Sequence, residues 1–238
     1  MESVRSLKRI GILGGSSDQA TQDYYRRLNA EVKRRVGGNN TAELIINSMN
    51  FAFAADCVKH QRWQAVAEYL RERAQALVTA GAECVICVSN TLHTVSAQFT
   101  QDLTVPFLHI VDPTARAIVR QGFKRVALLG TQAVMSGTHA RQKLLAEYAI
   151  ETMVPTTDEQ AYIDQVIFAE LCQGVFTAAA KRQYLAIIHR LHQAGAQAVI
   201  LGCTEIPLLI QSADAPGIPL LDMTELHVSA AVDFALSG

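Results

Sequence analysis

The chain has 238 residues, room for one large domain or two small ones. Half of them are hydrophobic, 18% are charged and 6% are aromatic, which excludes a disordered chain and supports a folded core. A balance of 21 Lys and Arg against 22 Asp and Glu, net charge −1, argues against a globally basic surface for nucleic acid. No apolar run reaches the roughly 18 residues of a membrane helix, and the N-terminal stretch has no apolar leader core, so neither a membrane partner nor a signal peptide is expected.

In chain order, short apolar runs alternate with helical patterns. Residues 8–14 read as a buried strand. Residues 18–36 read as a helix opened by Asp18 and closed by Gly37-Gly38. A strand is expected at 43–49, then an Ala- and Arg-rich helix at 62–80 closed by Gly81. Strands follow at 83–88 and 105–110, with a short helical pattern over Pro113–Gln121. The rhythm then recurs. Strands are expected at 124–130, 150–154, 197–202 and 218–222. Helices are expected at 136–148, 159–172, 177–194 and 224–237. Alternation of this kind predicts α/β layers with mainly parallel strands.

The recurrence is visible in the letters. Arg9–Gly14 resembles Arg125–Gly130, Ala80–Ile86 resembles Ala194–Ile200, and Val105–Leu108 resembles Ile218–Leu221. The three matches keep their order and nearly constant spacing, about half the chain. That is too long for a solenoid repeat and reads as two related halves. The expected division is 1–111 plus 222–238 for the first half and 112–221 for the second. Two such layers would form a cleft lined by loops at strand C-termini.

Five cysteines, Cys57, Cys84, Cys87, Cys172 and Cys203, are an odd number at irregular spacing, which argues against a disulfide framework and for a reducing, cytoplasmic setting. Cys84 and Cys87 form a CxxC inside a strand, where alternation sends their thiols to opposite faces. No further Cys or His set completes a metal site. Cys57, Cys84, Cys87 and Cys172 read as small buried hydrophobes.

Four loops follow strands at matching positions: Gly14-Gly15-Ser16-Ser17, Ser89-Asn90-Thr91, Gly130-Thr131 and Cys203-Thr204-Glu205. The repeat sets Ser89 on Cys203, Asn90 on Thr204 and Thr91 on Glu205. Gly14-Gly15 permits close backbone approach with free amides for a carboxylate or phosphate, or serves only as a tight turn. It fits neither GxGxxG nor the P-loop, so a nucleotide cofactor is not expected. Cys203 precedes Pro207, near a possible helix start whose amides would stabilise a thiolate. Asn90 and Thr91 suit a carboxylate or a helix cap. Glu205 suits an ammonium, an oriented thiol, or a plain first-turn acid. His93 reads as a supporting donor or a core histidine.

With these residues named, the chain resembles the aspartate/glutamate racemases. Gly11-Ile-Leu-Gly-Gly15, Asn90-Thr91 with His93, Leu129-Gly-Thr131 and Gly202-Cys-Thr-Glu205 carry the resemblance over about residues 8–236. It implies two pseudo-symmetric Rossmann-like α/β domains, an active site in the cleft between them, no cofactor and no metal, and a homodimer. It implies a small dicarboxylic amino acid as substrate. In the family pattern two cysteines act as bases on opposite faces of the substrate. Here the first of those positions holds Ser89, so the resemblance is closest to the L-aspartate/glutamate-specific branch with a hydroxyl in that slot. A hydroxyl is a far weaker acid than a thiol, so Cys203 is expected to abstract the α-proton and Ser89 to relay one, through water. The resemblance makes Gly15, Ser16, Asn50, Asn90, Thr91, Thr131, Thr204 and Glu205 substrate-binding candidates. Cys172 and Asn50 stand where relatives carry lysine and aspartate. Two other readings share the architecture: an arylmalonate decarboxylase-like enzyme using Cys203 alone, and a dicarboxylate-binding protein that has lost catalysis.

Overall fold

The computed structural model describes residues 7–237. Residues 1–6 and 238, which the expected first half includes and where part of the leader reading falls, lie outside the described residues. By contacts the chain forms two units. One comprises the described residues up to Val88 with Val95–His109 and those from His227 on. The other comprises Ser89–Thr94 with Ile110–Leu226. The segments 89–94, 110–111 and 222–226, expected with the first half, thus group with the second.

The first unit holds β1 (Ile10–Gly14), α1 (Asp18–Val36), β2 (Leu44–Ser48), α2 (Phe51–Lys59), α3 (Trp63–Thr79), β3 (Cys84–Cys87) and α4 (Ser96–Phe99). Its sheet is parallel in the order β2-β1-β3. β1 is buried on both faces, so it reads as the unbroken apolar run Ile-Gly-Ile-Leu rather than an alternation. Ile10, Ile12, Tyr24, Leu28 and Ile86 centre the core, each full aliphatic burial contributing about 1.5–3 kcal/mol. α1 starts where expected because Ser17 accepts from the Ala20 amide at 3.0 Å, with Asp18 in the first turn.

Two elements differ from expectation. The run 105–110 pairs with β3 through one bridge, Val85 with Phe107. The Val85 amide donates to the Pro106 carbonyl and the Leu108 amide to the Val85 carbonyl, while the Leu108 carbonyl accepts from His227 Nε2 at 2.7 Å. α2 was not expected. Its signal was Asn50, whose Oδ1 accepts from the Ala52 amide at 3.1 Å and caps the helix.

The second unit holds α5 (Val111–Arg120), β4 (Arg125–Leu129), α6 (Gln132–Ser136), α7 (His139–Tyr148), β5 (Glu151–Met153), α8 (Thr157–Ala169), α9 (Ala178–Gln193), β6 (Val199–Leu201), α10 (Ile206–Leu209) and β7 (Leu220–Asp222). α11 (Met223–Leu236) begins in this unit and ends in the first. The parallel sheet runs β5-β4-β6-β7 over a core of Val126, Leu128, Ile150 and Ile200. The helix expected at 136–148 begins at His139, because the backbone at Gly137 turns extended (φ −66°, ψ 160°), and α6 before it was not expected. The expected helix 159–172 begins at Thr157, with a Thr156–Glu159 capping box, and gives way to a 3-10 turn at Leu171–Gln173.

The duplication extends to single hydrogen bonds. The Arg9 amide donates to Glu83 Oε2 and the Arg125 amide to Gln197 Oε1, at 2.8 and 3.0 Å. The Val85 amide donates to the Pro106 carbonyl and the Val199 amide to that of Pro219, both at 2.9 Å. The Ala82 and Ala196 amides close α3 and α9 onto Leu77 and Leu191. Parallel α/β architecture in two units is therefore what the sequence period encodes.

Candidate active site

Cys203 leaves the C-terminal end of β6, where parallel strands deliver their loops. Gly202 allows this exit. A Cβ there would lie 2.6 Å from the Leu129 carbonyl oxygen, and the Gly202 amide donates to that same oxygen. Cys203 Sγ donates to Glu205 Oε2 at 3.0 Å, and Thr204 Oγ1 donates to the same oxygen at 2.7 Å. Cys172 Sγ, from the Leu171–Gln173 turn, donates to Glu205 Oε1 at 3.6 Å. All four side chains are buried, Glu205 at 2% exposure.

This arrangement corrects the expected electrostatics of Cys203. One helix-start amide, that of Glu205, does favour the thiolate. Burial and the Glu205 carboxylate outweigh it and push the Cys203 thiol well above its ordinary value. α10 is a single turn, too short to reverse that balance. With the pKa raised, the thiol is the favoured form of Cys203 at neutral pH. Cys172 is also more than a buried hydrophobe, since it touches that carboxylate. No local signal could have shown this, because the two residues are far apart in sequence.

The Ser89–Thr94 segment is held by three side chains. Asn90 Nδ2 donates to the Gly202 carbonyl at 2.9 Å, tying the segment to the exit of β6, while its buried Oδ1 has no partner. Thr91 and Thr131 share a hydroxyl–hydroxyl bond of 2.9 Å. His93 is fully buried. Its Nδ1 donates to the Ser89 carbonyl at 2.8 Å and its Nε2 accepts from the Ile110 amide at 3.3 Å. This fixes a neutral imidazole with its proton on Nδ1 and makes His93 a brace for the backbone of half-buried Ser89. The second unit thus gathers Ser89, Asn90, Thr91, Thr131, Thr204, Glu205 and Cys203.

The other candidates lie in the first unit. The Gly15 amide, expected to be free for an anion, donates to Thr21 Oγ1 at 2.8 Å. Gly15 adopts φ 81°, and a Cβ would fall 2.2 Å from the Met49 carbonyl oxygen. Of the two serines after it, Ser17 caps α1, while Ser16 Oγ is buried without a partner. Asn50 is exposed and committed to its cap.

Residues 10–231 match the Asp/Glu/Hydantoin racemase family. The chain belongs to that family. A glutamate racemase from Thermus thermophilus is 33% identical over 168 residues, covering 68% of this chain and 58% of that protein. The match therefore spans little more than half the length of that relative. The structure of a candidate Asp/Glu racemase from Yersinia pestis superposes with a TM-score of 0.89 at 35% identity, over 97% of this chain and 100% of the other. An aspartate racemase homologue from Pyrococcus horikoshii OT3 gives 0.80 at 31%, over 96% and 99%. Among the described residues, no group of three or more His, Cys, Asp or Glu side chains is placed to hold a metal ion, and no helix is long and apolar enough to cross a membrane.

Proposed function

We propose that the chain is a cofactor-independent amino-acid racemase acting on L-aspartate and L-glutamate. Cys203 moves the α-proton on one face and Ser89 serves the other. The observation that carries this reading is the Cys203–Glu205 bond at a strand end, in a chain of this family. Removing an α-proton needs a base and donors that hold the carboxylate as charge develops on it. Cys203, once its proton passes to a neighbour, is the base. Asn90, Thr91, Thr131 and Thr204, which lie in one unit with Cys203, are the substrate-binding groups of this reading. Among them Asn90 Oδ1 is a buried polar atom still without a partner. Ser89 has no acidity comparable to a thiol, so the return of a proton on its face runs through water and is the slower half. The family likeness supports a homodimer, and five buried cysteines outside any disulfide suit a reducing cytoplasm.

The test is chiral chromatography of L- and D-aspartate and L- and D-glutamate after incubation with the purified chain, with an arylmalonate as control. Conversion of an L substrate to its D form is expected. Release of CO2 from the malonate without amino-acid conversion would replace the racemase with a decarboxylase, since a protonated Cys203 also suits that chemistry.

A further inference from the structure

Glu205 accepts from Cys203 and Thr204 on one oxygen and from Cys172 on the other, at 3.0, 2.7 and 3.6 Å. Cys172 and Cys203 are 8% exposed, Thr204 6% and Glu205 2%, so little water dilutes these bonds. Cys172 comes from the turn that packs on α10, the helix Glu205 leads into. Two thiols therefore address the two oxygens of one carboxylate, and only Cys203 stands at a strand exit.

We infer that Glu205 takes the proton of Cys203 to generate the reactive thiolate, and that Cys172, on the second carboxylate oxygen, is a positioning residue that tunes this transfer. The inference rests on Cys203 being the proton-moving group of the proposed racemase. The S–H bond breaks and an O–H bond forms, giving thiolate and carboxylic acid with no change in total charge. The thiolate then takes the α-proton and becomes a thiol again. Ser89 delivers a proton to the opposite face, and the proton on Glu205 returns to Ser89 through water. Each donor on the carboxylate spreads its charge and holds the proton back on Cys203. Losing the Cys172 donor shifts the proton toward Glu205.

A pair that shares one proton has a recognisable pH signature. Transfer inside the pair consumes no proton from solvent, so the thiolate made by transfer is a fixed fraction of the singly protonated pair, and the thiolate level is flat with pH until the form with both groups ionised outnumbers it. A lone thiol gains tenfold in thiolate with each pH unit, until it is mostly ionised. The experiment is the alkylation rate of Cys203 by iodoacetamide against pH, in substrate-free protein, read by mass spectrometry of its peptide. It is run on wild type, Glu205→Gln, Cys172→Ala and the double variant. Wild type is expected to show a flat stretch around neutrality and a rise on the alkaline side. Glu205→Gln is expected to show a single tenfold-per-unit rise. Cys172→Ala is expected to lift the flat stretch about threefold, and to do nothing when Glu205 is already Gln. A single rise in wild type overturns the inference, and so does a Cys172→Ala effect that is absent or equal in both backgrounds. Should Glu205→Gln fail to fold, the flat stretch and its lift in Cys172→Ala remain decisive. α-Proton exchange on the same samples separates the two claims. Exchange without the flat stretch removes the Glu205 relay and leaves the racemase. The flat stretch without exchange does the reverse.

Discussion

Val88 and Gly202 leave their strands by the same bond, an amide donated to a carbonyl of the neighbouring strand, at 3.1 Å to Leu13 and 2.6 Å to Leu129. After that shared step the two loops part. Ser89 is followed by Asn90 and Thr91, whose side chains reach the Gly202 carbonyl and the Thr131 hydroxyl. Cys203 is followed by Thr204 and Glu205, and both the thiol and the hydroxyl converge on the carboxylate. One loop turns its side chains to neighbouring loops, and the other turns two of its side chains onto its own carboxylate. The duplication preserved the bonds that make the sheets, because each buried amide must find a partner. It left free the three residues beyond each strand, where no ladder depends on the side chain.

The sharpest break in the comparison is Cys203→Ala. It should abolish α-proton exchange of the L substrate, by about a thousandfold or more. Proton NMR in D2O reads this directly, and residual exchange near wild type would move the chemistry away from Cys203. Next comes Ser89→Cys, which makes the two loops chemically alike. Exchange of the D enantiomer should rise about tenfold, with a smaller change for the L form, because a thiol replaces a poor base. An unchanged ratio of the two would mean that residue 89 does not face the reacting carbon. Gly202→Ala tests the exit itself. Val88 carries a side chain at the matching position, but a Cβ at 202 meets the Leu129 oxygen at 2.6 Å and Leu128 Cδ1 at 2.7 Å. The expected loss is about 1–3 kcal/mol in urea unfolding. The smallest effect belongs to Glu83→Ala and Gln197→Ala. Each removes an acceptor from the amide that begins β1 or β4, and each should cost about 0.5–1 kcal/mol. Clearly unequal losses would show that the repeat is one of geometry but not of energy.

The sheets were legible because buried parallel strands write themselves as apolar runs, and because Arg9–Gly14 returns as Arg125–Gly130. α1 was legible for the same local reason, with Ser17 and Asp18 opening it. α2 was not, since Asn50 was read for the ligand role that the resemblance implies and not as a helix start, and its Oδ1 caps that helix. The expected strand at 105–110 is reduced to a single bridge, and its Leu108 carbonyl meets His227, a contact distant in sequence. The site divides in the same way. Cys203, Ser89 and their neighbours were visible because the repeat pairs them. Glu205, two residues from Cys203, was legible as a group suited to orient a thiol, whereas its contact with Cys172 is made only by the fold, and spacing along the chain holds no trace of that.

The most direct measurement is α-proton exchange in D2O, followed by NMR, on both enantiomers of aspartate and glutamate, with wild type beside Cys203→Ala. The account predicts exchange of an L substrate that is faster than that of its D form and is lost in the variant. Absence of exchange in wild type for all four amino acids would contradict it.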